Sequence, residues 1–82
     1  MTVDDPYAQR IRDLIAATGR DRRVLARLLG YASDNSLRQI ERGRAALPYD
    51  KAAWLKRYGE LRQRLAQHER EWLEKNPPFD LE

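Results

Sequence analysis

The sequence predicts an all-α fold: a compact bundle of four to five helices that ends in one long C-terminal helix. Three observations carry this. Apolar residues recur three and four positions apart along nearly the whole chain, the period of a helix with one buried face. Gly19, Gly30 and Gly43 each fall just past such a stripe, where a helix commonly stops. From Trp54 to Trp72, large side chains step by 4, 3, 4, 3 and 4 residues, a heptad pattern.

The elements follow in order. Asp4 or Asp5 caps a first helix, with Pro6 at a tolerated early position. Ile11, Leu14, Ile15 and Thr18 form its inner stripe, and Gly19 stops it. Asp21 caps a short second helix whose stripe is Val24, Leu25, Leu28 and Leu29, ended by Gly30. After Tyr31 and Ala32, Ser33 or Asp34 starts a third helix with Leu37 and Ile40 inward and Gly43 as its stop. Arg44 to Pro48 reads as a loop. Tyr49 to Lys75 reads as one helix, because the seam Trp54, Tyr58, Leu61, Leu65, His68, Trp72 is unbroken and outweighs the roughly 1 kcal/mol cost of Gly59 inside it. Asn76-Pro77-Pro78 ends that helix, and Phe79 to Glu82 is expected to be a loose tail. The expected division is a core domain over 1–58, a helical extension over 59–76 and a flexible tail over 77–82.

Composition narrows function. The 82 residues contain no Cys and one His, which leaves no thiol chemistry and no His-rich zinc site, and no cofactor or small-molecule ligand is expected. No serine–histidine–acid set, paired carboxylates or phosphate loop can be assembled, so an enzyme is not expected. The apolar runs are far shorter than the roughly 20 residues a bilayer requires, so no membrane partner is expected. The start MTVDDPY has no basic-then-apolar segment, and the expected location is the cytoplasm.

Charge is distributed unevenly. Residues 1–19 carry a net −1 and residues 45–82 a net 0, whereas residues 20–44 carry seven Arg against three acids, a net +4. Every base in that stretch is Arg, whose planar fork of donors suits phosphates and guanine edges. Two short helices joined by a tight turn, the second rich in polar residues, suggest a helix-turn-helix. Leu25, Leu28 and Leu29 brace the first helix of the pair against Leu37 and Ile40 of the second, leaving one wet face to enter a major groove.

The run Val24-Leu25-Ala26-Arg27-Leu28-Leu29-Gly30, then Ser36-Leu37-Arg38-Gln39-Ile40-Glu41-Arg42-Gly43, then Pro48, resembles the lambda-repressor-like, Cro-type helix-turn-helix family over roughly residues 8–58. The resemblance implies a bundle of about five helices that binds operator DNA, often as a dimer and usually as a repressor. Family habit adds autoregulation and a phage or mobile-element setting, such as an anti-CRISPR-associated regulator or a toxin's antitoxin. Two departures stand out. The turn Tyr31-Ala32-Ser33-Asp34-Asn35 is one residue longer than the family's. The position of the first-helix Arg that pairs with the family's glutamate is Ile15 here, so Glu41 pairs with Arg12 or Arg44, or faces solvent.

Candidate residues follow from position on the third helix. Arg38 can bond guanine O6 and N7, and Gln39 adenine N6 and N7, with Asn35 and Ser36 near the helix start also within reach of bases. Arg22, Arg23, Ser33, Arg42, Arg44 and Lys51 are expected on phosphates. Asp34 serves as a cap or accepts from a cytosine amino group. Tyr31 and Tyr49 can donate to phosphate, with core packing the alternative for Tyr31. The seam residues Leu61, Leu65, His68, Trp72 and Leu73 are expected to pair with a second copy, since exposing each large side chain forfeits about 1.5–3 kcal/mol. The expected function is a homodimeric repressor on an inverted repeat of double-stranded DNA. The alternative is a helical protein-interaction module, an antitoxin or adaptor, that uses the aromatic and leucine stripe of the C-terminal helix.

Overall fold

Five α-helices and one 3₁₀ turn make up residues 6–81, which the computed structural model of the chain describes. No strand occurs among the described residues. The candidate caps Asp4 and Asp5 lie outside them. Helix α1 spans Pro6–Thr18 and buries Ala8, Ile11, Ile15 and Thr18, the stripe its spacing predicts with Leu14 at the margin. Helix α2 spans Arg22–Leu28, and Asp21 accepts from the Arg23 amide at 3.4 Å as its N-cap. Leu25 and Leu29 are fully buried, but Val24 is 41% exposed, a correction to its place in the expected stripe. With only seven residues, α2 has one inner face, and Leu25 and Ala26 occupy it.

Helix α3 spans Asn35–Glu41 and turns Leu37 and Ile40 into the core. Asp34 stands at its N-cap without a capping bond; its carboxylate lies 3.5 Å from the Arg38 guanidinium, one turn on. Gly43 takes φ 76°, which lets the Arg44 amide reach back to the Gln39 carbonyl at 2.9 Å and close the helix end.

Helix α4 spans Tyr49–Arg64 and runs beside α1 in the same direction. Tyr7 at the start of α1 bonds the Leu47 carbonyl at 2.7 Å, and Arg62 near the end of α4 bonds the Thr18 carbonyl at 2.8 Å. Gly59 does not interrupt α4. It lies against α1: a Cβ there would stand 3.5 Å from the Ala17 methyl.

The expected single helix to Lys75 is not formed. It ends at Arg64; Leu65 takes φ −137° and ψ 45°, Ala66–His68 form the 3₁₀ turn, and α5 (Glu69–Lys75) doubles back. Trp72 then stacks into its own domain, with ring centroids 5.5 Å from Trp54 and 5.8 Å from Tyr58. A heptad seam needs a partner to cover it, and here the chain itself covers the Trp72 end. The Glu69 carboxylate anchors the return: Arg20 bonds it at 2.8 Å, Arg62 at 2.7 Å and the Tyr58 hydroxyl at 2.8 Å. The extension expected over 59–76 is therefore two helices folded on the bundle.

The expected loose tail is also corrected. Its amide and ring hold Phe79 in place: the amide donates to the Leu28 carbonyl at 2.9 Å, and the ring meets Trp54 edge-on at 6.1 Å. The Trp54 indole donates to the Asn76 carbonyl at 3.1 Å. Asp80 crosses Gly30 so closely that a Cβ at residue 30 would meet the Asp80 carbonyl oxygen at 2.3 Å, and Gly30 itself sits at φ 86°. The tail straps the turn between α2 and α3.

Candidate nucleic-acid interface

The buried side of α3 leaves Asn35, Arg38 and Arg42 exposed, with Ser36 and Gln39 half-buried beside them. Arg38 and Arg42 are one turn apart and line a shallow depression with Arg22 and Glu41. A second depression, under the α2–α3 turn, is lined by Arg23, Arg27, Ser33 and Asp34 among others. Arg44 is exposed just past the end of α3. The arginine-rich stretch of the sequence thus becomes one wet side of the α2–α3 pair.

Two of these arginines differ in their bonds. Arg22 reaches across from α2 to the Glu41 carboxylate at 2.6 Å, and that hydrogen bond raises its pKa further above the ordinary arginine value. This answers the question the sequence left open about Glu41: its carboxylate takes Arg22, while the Arg12 guanidinium bonds its backbone carbonyl. Neither Arg44 nor solvent is its partner. Arg38 leans toward Asp34 but keeps 53% of its side chain exposed, so the pair is loose. Among the described residues Arg23, Arg27, Arg42 and Arg44 form no ion pair with a carboxylate.

Lys51 does not join this surface. It is only 6% exposed, and its ammonium sits 4.2 Å from the Tyr31 ring centroid and 5.5 Å from that of Phe79. Tyr31 is half-buried under it, which favours the packing role over phosphate, whereas Tyr49 is exposed. Arg27 is the residue that sequence reasoning passed over. The signal was available: it stands one turn after Arg23 on α2.

Of the five seam residues, Leu61, Leu65, His68 and Trp72 line one shallow depression, and Leu73 lies outside it. Leu61 is buried, Trp72 and Leu73 are half-buried on their own domain, and Leu65 and His68 are exposed around the 3₁₀ turn. No helix among the described residues is long and apolar enough to cross a membrane. Comparison with protein-family models, with curated proteins and with solved structures yields no match.

Proposed function

We propose that the chain is a sequence-specific double-stranded DNA-binding regulator of the helix-turn-helix kind, a repressor that occupies an operator and blocks polymerase. One observation carries the reading: Leu37 and Ile40 are sealed inside while Asn35 and Arg38 stand outside on the same short helix and Arg42 at its end, flanked by the α2 arginines. Arg38 and Gln39 read base edges, with Asn35 and Ser36 beside them at the helix start. Arg23, Arg27, Ser33, Arg42 and Arg44 hold phosphates, and Arg22 stiffens the pair through Glu41.

One reading helix supplies few base contacts, so the operator is an inverted repeat bound by two copies, with half-sites about 34–36 Å apart. Autoregulation suits so small a protein. No long heptad rod joins the copies, because α4 ends at Arg64 and Trp72 packs against Trp54 and Tyr58.

In-vitro selection of random duplex DNA by the purified protein tests the proposal. Enrichment of an inverted repeat is expected, with affinity falling steeply as salt rises. Failure to enrich any sequence, together with a flat salt response, would refute it.

A further inference from the structure

Helices α1 and α4 touch at Gly59 and Ala17, and a gap lies between their N-terminal halves. The gap is an apolar groove floored by Ile11, Leu47 and Ala53, with Tyr49 at its mouth. Tyr49 is 88% exposed, the most exposed large apolar side chain among the described residues. Two cations stand on the opposite walls, Arg10 on α1 and Lys56 on α4, and among the described residues no carboxylate lines the groove. The nearest acid on α1, Asp13, is held by Gln9 at 2.9 Å. Among the described residues neither Arg10 nor Lys56 makes an ion pair.

We infer that this groove is a docking site for an acidic amphipathic helix of a partner protein. An apolar anchor fills the space left by Ala52 and Ala53, and carboxylates on the anchor's flanks meet Arg10 and Lys56. A second copy of this chain fits less well, since it would bring the same two cations to the same place. The groove also lies away from the arginine face. At 3.6 residues per turn, Arg10 and Leu14 stand roughly 160° around α1 from Arg12, which reaches α3. An occupied groove therefore leaves α3 open, and a complex of DNA, this protein and its partner is sterically allowed. The docking site stands independently of the DNA reading.

Panning a displayed library of random amphipathic helical peptides on the full chain tests it, followed by fluorescence anisotropy of the enriched peptides. Enriched peptides are expected to carry Glu or Asp beside a large apolar anchor. Their affinity is expected to drop about tenfold or more on Arg10→Glu/Lys56→Glu and on Ala53→Glu. Tyr49→Ser, at a nearly bare position, is expected to weaken binding several-fold with an unchanged circular dichroism melt, which covers the case of a charged variant that fails to fold. Enrichment of neutral or basic peptides, no enrichment, or affinities indifferent to all three variants overturns the inference. So does sedimentation showing a dimer that Ala53→Glu dissociates, because the groove is then a self-interface.

Discussion

Two groups of arginines, built from the same residue type, do opposite work in this molecule. Arg20 and Arg62 converge on Glu69, whose side chain is 17% exposed, and with the buried Tyr58 hydroxyl they bind α5 to the rest of the bundle. Arg23, Arg27, Arg42 and Arg44 lie on the α2–α3 face with no carboxylate attached among the described residues. A guanidinium that has found its carboxylate is a fastener; one that has not is a free donor fork for an anion from outside. Arg22 and Arg38 fall between, one tied across the helix pair and the other only leaning on Asp34.

That contrast can be broken from either side, and the largest effect is expected from the fastened group. Glu69→Ala leaves Arg20 and Arg62 without their shared carboxylate and the buried Tyr58 hydroxyl without its acceptor. Urea denaturation is expected to register a loss of about 3 kcal/mol. A loss under about 0.5 kcal/mol would mean the cluster is ornamental. Next comes α3, the proposed reading helix. Arg38→Ala is expected to cost about 2 kcal/mol of preference for the selected operator over a mutated one, with an unchanged melting temperature. Arg27→Ala is expected to weaken binding to all sequences alike and to lower the salt slope by about 0.9. A loss confined to the operator would move Arg27 from phosphate to base.

The pH response sharpens the comparison at a finer scale. Burial pushes the Glu69 carboxyl up, but the hydrogen bonds from Tyr58, Arg20 and Arg62 outweigh it, and the carboxyl sits below its ordinary value of 4.5. A carboxyl depressed in the folded state contributes stability that is complete above its unfolded pKa and drains away as pH falls through the folded one. Below about pH 4.5 the wild type is therefore expected to lose stability faster than Glu69→Gln, with the two curves parallel at neutral pH. Parallel curves down to pH 3 would remove the carboxylate from the account of stability.

How much of this was legible in the sequence depends on the range of the cause. Gly19, Gly30 and Gly43 announced the helix ends because a positive φ is a local demand, met at 67°, 86° and 76°. Leu37 and Ile40 announced the inner side of α3 through spacing alone. What spacing cannot convey is which surface covers a stripe. The period from Trp54 to Trp72 is equally compatible with a long rod and with two helices folded together, and a tertiary event decides between them: the meeting of Glu69 with Arg20 across 49 residues. Lys51 misled for the same reason, since a lysine reads as solvated until two aromatic rings are placed beneath it. The exposure of Arg23 and Arg38 needed no such event, because they stand on the outside of helices whose inside was already fixed by spacing.

The strap over Gly30 carries a consequence for how the molecule comes into being. The hydrogen bond from Phe79 to Leu28 joins stretches separated by about fifty positions, so the bend between the paired helices is completed only by chain that leaves the ribosome much later. A nascent protein halted before that stretch carries the whole arginine face yet lacks the piece that locks its hinge.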